Sequence, residues 1–394
     1  MGTVAQTVEL GGRAYVDYFY NLSALTDATG GAEEGLHRFR YRRLCLTADY
    51  TLSEKFLGRA RLEADEGTSG RPVVKALSLT WAYSGEHTAT MGITPPPAFE
   101  IAEDVWGYRS LEKTVQNLQG IVSSRDFGLR FDGPVTGDGT VRYAVMVANN
   151  RTVGLETDKY KRVYGQLAVR PTEQITLVVG ADHAGYDDGR DHGTRVSAFG
   201  GYATEHFRVG AEGYWYRVAM KEGDARIDVG ASIYGTVQVA PQWEVVARLD
   251  RSAEFFAGDD RYGTSVLGDV AYTPNPNVAP NPNLGVQVPN EQATSTTARF
   301  PARVQADKQK HTAAGHLHRT HAESEKLAEK LGSGGADLGE AARPPDGRKQ
   351  KFLRALGHED DADHEADEGQ GTQGPAGLRR RKGHGPSTMS WRRT

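Results

Sequence analysis

The segment 227–250 alternates between apolar and polar residues with a period of two, broken only by a turn at 240–242. Ile227 and Val229, for example, share one parity, and Asp228 lies between them. Alternation of this kind is typical of a β-strand with one apolar and one polar face. Strands of soluble proteins usually have about five or six residues, and the strand before the turn is about twice as long. Its length and half-polar character predict a strand that crosses a bilayer at a tilt, which requires about 9–11 residues.

The same pattern recurs across residues 7–300, which divide into about sixteen such strands. Seven short turns alternate with eight longer connections, as expected for up-and-down strands with both ends on the short-turn side. Aromatic residues gather beside the short turns, where an interfacial girdle requires them: Tyr50, Phe56, Trp81, Tyr83, Tyr202, Phe207, Trp243 and Tyr272. The predicted fold class is all-β, a transmembrane antiparallel up-and-down β-barrel of about sixteen strands, because a closed sheet leaves no peptide group unsatisfied in lipid.

One predicted strand departs from the regular alternation. Its apolar parity switches from Phe39 and Tyr41 to Leu44 and Leu46, with two arginines at the point of change. An extra residue in one strand of a pair shifts the phase in this way. The sequence therefore predicts a β-bulge at residues 42–43.

Composition bears on the alternative classes. Only 38% of the residues are hydrophobic and the mean hydropathy is −0.56. The alternative fold, a large soluble β-sandwich or solenoid, would need a more apolar core for this many strands. The single cysteine, Cys45, excludes a disulfide framework and a cysteine-based metal cluster. A net charge of −4 gives no argument for a nucleic-acid partner.

The sequence contains no GxSxG, HExxH or Walker loop. We therefore predict no enzyme activity, no cofactor and no metal. Some outer-membrane barrels are hydrolases with a Ser/His pair, and histidines are present here, but none has a recognisable partner: His87, His183, His192 and His206. The spacing of the histidines at 311, 316, 318 and 321 matches no defined metal site.

Three segments are predicted along the chain. Residues 1–6 are interpreted as the remnant of a signal peptide, and residues 7–300 as the barrel domain, whose last strand is predicted to stop early. Residues 301–394 contain 17 basic and 14 acidic residues and little apolar surface, so we predict a disordered C-terminal extension. Whether this extension is natural or an out-of-frame reading of GC-rich DNA is left open.

The longest connection, Thr94 to Gly128, follows the fifth strand and carries aromatic residues that need burial. Here the sequence resembles a known family. The stretches WGYRSLEKT (106–114), SSRDFGLRFDGP (123–134) and TDKYKRVYGQLAVRP (157–171) are similar to bacterial outer-membrane porins of the phosphate-selective porin O/P type. The resemblance covers residues 7–300. In sixteen-strand porins the loop after the fifth strand folds into the lumen and narrows it, and the resemblance implies the same here.

The resemblance further implies a homotrimer in the bacterial outer membrane, surrounded by lipid. Each subunit would form a water-filled channel for the passive diffusion of small hydrophilic solutes or ions, with anions such as phosphate one candidate class. The alternative function is a non-conducting structural or adhesive outer-membrane barrel. Arginine outnumbers lysine 24 to 6 before residue 301, which suits anions, whereas the net charge of that region is −7. The sequence leaves the sign of selectivity open.

Charged side chains that line a constriction determine selectivity in a pore. The basic residues of inward parity are the pore-lining candidates: Arg13, Arg59, Arg61, Arg130, Arg142, Arg162, Arg195, Arg208 and Arg248. The constriction loop contributes Glu100, Glu103, Asp104, Arg109, Glu112 and Lys113. For most of these residues the alternative role is structural, since wall charges pair across neighbouring strands and hydrate the wall.

Overall fold

A closed antiparallel β-sheet forms the protein in a computed structural model, which describes residues 7–23, 34–258, 260–275, 277–280, 283–289 and 295–312. Strands adjacent in the sequence pair with each other, apart from two short segments before the last strand, and the first strand pairs with the last as well as with the second. The sheet therefore closes on itself as an up-and-down barrel. The predicted signal-peptide remnant at 1–6 and the predicted tail beyond Thr312 lie outside the described residues.

The strands are β1 Thr7–Ser23, β2 His37–Thr51, β3 Phe56–Ala64, β4 Val73–Ser84, β5 His87–Thr94, β6 Asp126–Pro134, β7 Val141–Ala148, β8 Arg162–Val169, β9 Ile175–Gly185, β10 Arg190–Ala203, β11 Phe207–Met220, β12 Arg226–Ala240, β13 Trp243–Phe255, β14 Arg261–Tyr272, β15 Val278–Pro280, β16 Asn283–Pro289 and β17 Ser295–Thr312. Two helices, α1 Glu100–Trp106 and α2 Val115–Leu118, lie between β5 and β6. No helix among the described residues is long and apolar enough to span a membrane.

The short strands β15 and β16 occupy a single position in the barrel. Val278 pairs with Val304, and Asn283 pairs with Arg299, so both segments keep one register on β17. The seventeen segments therefore fill sixteen positions, which confirms the predicted number of strands.

Apolar residues of one parity point outward along the strands. On β9 and β10, for example, the exposed fractions are 56% for Val179 and 46% for Val196, whereas Arg195, which precedes Val196 and has the opposite parity, is fully buried. Stacked aromatic pairs, such as Trp243 with Tyr272, lie beside the short turns. An apolar band with an aromatic girdle is the exterior that a barrel needs in lipid.

The predicted end of the barrel at residue 300 is wrong. β17 continues to Thr312 and pairs along the whole of β1, from Thr7↔Thr312 to Ser23↔Thr296. Residues 301–312 therefore belong to the closing strand and not to a disordered extension, because the peptide groups of β1 require partners over its full length. The alternation also continues for a short distance: Val304 is 48% exposed on the outer surface.

The predicted bulge is present. Tyr15 pairs with Arg43 and Val16 pairs with Tyr41, so Arg42 is the extra residue and both arginines are buried on the inner side. A second bulge, at Lys75 in β4, places this lysine inside the barrel as well. Bulges re-aim side chains, and here they add cations to one part of the inner wall.

Inward-facing glycines lie opposite inward-facing tyrosines on neighbouring strands. Gly210 pairs with Tyr234, and Tyr214 pairs with Gly230. A Cβ on either glycine would collide with the tyrosine ring opposite. The rings therefore lie flat over the glycines and cover backbone that has no side chain of its own.

We expect a chain that ends at Thr312 to keep the heat-stable barrel and a chain that ends at Phe300 to lose it. The shorter chain removes the partners of β1 from Thr7 to Asp17, and each unpaired peptide group in hydrocarbon costs several kcal/mol. Heat-modifiable migration on gels measures the folded form, with the full chain as the control. Equal melting of the two truncated chains would contradict the assignment of 301–312 to the barrel.

Candidate functional site in the barrel lumen

The connection between β5 and β6 lies inside the barrel. Trp106, Val115 and Val122 have no exposed surface, and α1 lies against β10 and β11 while α2 lies against β11 and β12. The aromatic and branched residues of this loop, whose burial the sequence requires, are packed against the inner wall. The loop is called the lumen loop below (residues 95–125).

Trp106 anchors the first helix of the lumen loop. Its ring packs edge-to-face on Tyr234, with 4.8 Å between ring centroids, and the Arg248 guanidinium lies 5.0 Å from its centroid. The indole nitrogen donates a hydrogen bond of 2.8 Å to the carbonyl oxygen of Glu112. Burial, ring geometry and the cation–π contact together hold the last residue of α1 against side chains of β12 and β13.

Gln116 anchors the second helix by hydrogen bonds to two wall residues. Its amide nitrogen donates to the Glu212 carboxylate at 2.9 Å, and its amide oxygen accepts from the Arg195 guanidinium. Arg195 also pairs with Asp182 and is fully buried. A buried charge of this kind is tolerated because it has both a counter-charge and hydrogen-bond partners.

Tyr108 connects the loop to the barrel on the short-turn side of α1. Its hydroxyl donates to Glu244, which also accepts from Arg208 at 2.9 Å. Burial, and then the hydrogen bond to Glu244, raise the pKa of Tyr108 above its usual range, so the phenol keeps its proton. Gly107 ends α1 with φ of 68°, and a Cβ there would collide with Arg208.

The start and the end of the lumen loop are held by arginines of β6 and β8. Arg130 pairs with Glu100 at 3.3 Å and donates to the carbonyl oxygen of Pro95 at 2.8 Å. Arg162 donates to the carbonyl oxygen of Ile121 at 3.3 Å. Arginine has enough donors to bind the wall and the loop at once, so these residues bridge the two.

The inner surface of β1–β4 forms a basic wall, on which Arg42, Arg43 and Lys75 are placed by the two bulges. Arg43 and Lys75 share Glu63, at 3.3 and 3.2 Å, and all three side chains are nearly fully buried. The inward cations of this wall are Arg13, Arg40, Arg42, Arg43, Arg59, Arg61 and Lys75, and its carboxylates are Glu9, Asp17, Asp49, Glu63 and Asp65. The cations exceed the carboxylates.

Arg42 joins the basic wall to the tip of the lumen loop. Its Nε donates to Asp17 at 2.6 Å, and its terminal nitrogen donates to the carbonyl oxygen of Ser110. In a ring of sixteen positions, β2 lies opposite β10, against which α1 packs. The loop therefore spans the lumen from one side to the other.

The nine predicted pore-lining arginines have the inward parity expected, but they do not form one open surface. Arg162, Arg195 and Arg248 lie behind the lumen loop and hold it, and Arg130 holds its start. Arg13, Arg59 and Arg61 lie on the basic wall. There Arg59 binds Asp49 and Arg61 binds Thr47. Arg208 binds Glu244, and Arg142 binds Glu86 near a short turn.

The six loop residues predicted to form the constriction separate into two groups. Glu100, Glu103 and Arg109 are buried, and Glu103 pairs with Arg109 at 3.1 Å. The other three keep exposed surface: Asp104, Glu112 and Lys113. The buried group stabilises the loop, and only the second group has accessible surface.

Sequence parity missed several cations that the structure places inside, among them Arg40, Arg42, Arg43 and Lys75. The predicted bulge was the signal for Arg42 and Arg43, because a phase change can turn two consecutive side chains to one face. Lys75 lies only two residues after the start of β4. The alternation before it is too short to show that a bulge changes the parity there.

No protein-family model matches the sequence, and a search of curated proteins found no match. Solved structures do match. An anion-selective porin from Comamonas acidovorans has a TM-score of 0.59 and 12% identity, covering 76% of this chain and 100% of its own. OmpT of Vibrio cholerae, expressed in the outer membrane, has a TM-score of 0.58 and 12% identity, with coverages of 78% and 99%. The outer membrane channel DcaP of Acinetobacter baumannii has a TM-score of 0.55 and 11% identity, with coverages of 77% and 99%.

A likeness at this identity concerns the fold. The closed sheet, the outward apolar band and the aromatic girdle define a bacterial outer-membrane β-barrel. Within that class, the fold is similar to that of the porin and the outer membrane channel named above.

Replacing Trp106 by Ala should release the first helix of the lumen loop while the barrel stays closed. Truncation of a buried tryptophan typically costs about 3–5 kcal/mol, and here the loss falls on the contacts with Tyr234 and Arg248. Limited proteolysis of the folded protein would show faster cleavage within the loop. Gln119→Ala, on an exposed residue of the same loop, is the matched control and should leave the cleavage rate unchanged. Equal rates for both variants would show that Trp106 does not hold the loop.

Proposed function

We propose that the protein is an outer-membrane porin that lets small hydrophilic solutes diffuse passively, with anions, phosphate among them, preferred over cations. The observation that carries the proposal is the charged inner surface of a closed sixteen-position barrel. Barrels of this size have an interior wide enough for an aqueous channel, and a lining of arginines and carboxylates suits water and not an apolar filling. The proposal assigns no catalytic reaction to the barrel.

Anion preference is supported by the basic wall. Three consecutive inward positions of β2, Arg40, Arg42 and Arg43, place cations along the inner surface, and Lys75 lies on the wall beside them. Guanidinium groups bind oxyanions through parallel hydrogen bonds. The similar Comamonas acidovorans structure is described as an anion-selective porin, which agrees with this sign. A homotrimer is also proposed, since a similar in-vitro folded OmpT structure is described as a trimer form.

A second candidate function is a non-conducting barrel closed by its own loop. The contact of Arg42 with Ser110 and the near-complete burial of Arg43, Glu63 and Lys75 favour it. Both candidates use the same fold. They differ in whether water and ions pass the tip of the lumen loop.

Single-channel recording in planar bilayers distinguishes the two functions. A porin gives stepwise conductance for the unmodified protein. A loop-closed barrel gives none, and Arg42→Ala, which removes the donor to Ser110, then opens it. Heat-modifiable migration shows that both proteins are folded before recording. Silence of both folded proteins would reject the porin and leave the non-conducting barrel.

If the protein is an anion-preferring porin, Arg43→Gln and Lys75→Gln should each lower the anion-to-cation permeability ratio roughly two- to fivefold. Both side chains lie beneath the lumen surface, and a unit charge at about 8 Å is worth about 0.5 kcal/mol in water, with opposite sign for anions and cations; salt reduces it. Each single variant leaves Glu63 one cationic partner. The reversal potential in a KCl gradient measures the ratio. Arg251→Gln, on the outer surface, is the control, and an equal change there would contradict a role for the basic wall.

A further inference from the structure

A group of polar side chains interrupts the apolar exterior of β9–β11. His183, His192, Thr194 and Arg217 share the outward parity of the exposed apolar residues Val179, Val196 and Trp215. Thr194 pairs in register with His183 on one side and with Arg217 on the other. The four side chains therefore form one patch across three adjacent strands, called the outer patch below.

The histidines and the threonine of the outer patch are close together. The rings of His183 and His192 have centroids 5.3 Å apart, and Nδ1 of His183 lies 2.9 Å from the hydroxyl oxygen of Thr194. His192 also contacts Asp191, with 2.9 Å between Nδ1 and the carboxylate, and Asp191 is largely exposed. The Nε2 atoms of both rings have no hydrogen-bond partner among the residues that the structure describes, and each can donate outward only when it carries a proton itself.

Arg217 differs from the inward arginines of the barrel wall. Arg195, Arg208 and Arg248 each pair with a carboxylate. Within the described part of the chain, no acceptor bonds to the Arg217 guanidinium. Arg251, another outward arginine, donates to Thr264 at 2.6 Å and lies over the Tyr262 ring. The outer patch thus presents a cation that the protein itself does not neutralise.

The position of the outer patch along the membrane normal determines which part of the lipid it contacts. Thr194 lies eight residues from Tyr202, which is beside a short turn. At about 3.3 Å per residue and a tilt of about 35–45°, this separation is roughly 20 Å along the membrane normal. The apolar band of such barrels is about 25 Å tall. The patch therefore lies near the edge of the apolar band that is farther from the short turns. A long arginine side chain at this edge reaches the lipid headgroups.

We propose that the outer patch binds the phosphate group of a lipid of the outer leaflet. An arginine on the lipid face needs an anionic partner, and a phosphate accepts parallel hydrogen bonds from its guanidinium. Further donors are the Thr194 hydroxyl, when it accepts from Nδ1 of His183, and any imidazole that carries a proton on Nε2. Trp215, two residues below Arg217 on the same face, lies where interfacial tryptophans contact the region below the headgroups. The site is independent of whether the lumen conducts.

The test is native mass spectrometry of the purified full-length protein with bis-phosphorylated lipid A and with its dephosphorylated form. The unmodified protein should bind the phosphorylated lipid more tightly. Arg217→Gln should weaken that binding roughly tenfold, which corresponds to about 1.4 kcal/mol, close to one hydrogen bond to a charged group. His183→Ala with His192→Ala should weaken it by a smaller factor. Arg251→Gln is the matched control on the same surface and should bind as the unmodified protein does.

Three outcomes would overturn the proposal. Equal binding of both lipid forms would show that phosphate is not recognised. Displacement of the lipid by an equal concentration of inorganic phosphate would show a site for free anions. Disulfide-linked dimers formed by Arg217→Cys in a Cys45→Ser background would show that a second copy of the chain covers the patch. Heat-modifiable migration confirms that each variant is folded before binding is measured.

Discussion

Lipid offers no hydrogen bonds to a peptide group, and this constraint determines the architecture. Every N–H and C=O in the membrane must be paired within the protein, so the sheet has to close. Closure here depends on the pairing of β1 with β17, which runs from Thr7↔Thr312 to Ser23↔Thr296. The same requirement explains why residues 301–312, which look unlike a membrane strand, extend the sheet: their backbone satisfies β1 whatever their side chains are. It also explains the continuous register of β15 and β16 along one partner strand.

Closure creates an interior whose polar and charged side chains also need hydrogen-bond partners. The inward parity is rich in arginine and carboxylate, and such groups are stable in a confined space only with counter-charges and hydrogen bonds. The lumen loop supplies many of them: its carbonyl oxygens accept from Arg42, Arg130 and Arg162, and Gln116 binds both Arg195 and Glu212. In return the wall provides the tyrosines and glycines against which the loop buries Trp106. Wall and loop therefore stabilise each other.

Much of the fold could be predicted from period-two alternation, because lipid selects an apolar residue at every second position over the full height of a strand. The number of strands and the bulge at 42–43 follow from that signal. The end of β17 does not, since its alternation beyond Phe300 is brief and only the length of β1 requires it. For the site, parity gave the inward direction of Arg195 and Arg248 but not their position behind the loop. That position depends on contacts between residues more than seventy apart in sequence, which local patterning does not contain.

The anchors of the lumen loop differ in strength, and this difference limits how a passage could open. Withdrawing the helices would expose Trp106, Val115 and Val122 to water, at a cost of about 1.5–3 kcal/mol for a buried valine and more for a tryptophan. Withdrawing the tip breaks the bond from Arg42 to the Ser110 carbonyl, worth about 1.5–3 kcal/mol as a hydrogen bond to a charged group. Arg42 would keep its bond to Asp17, so its own charge stays paired when the tip moves. Any opening of the lumen is therefore expected at the tip, beside the basic wall, where a passing solute would meet arginines first.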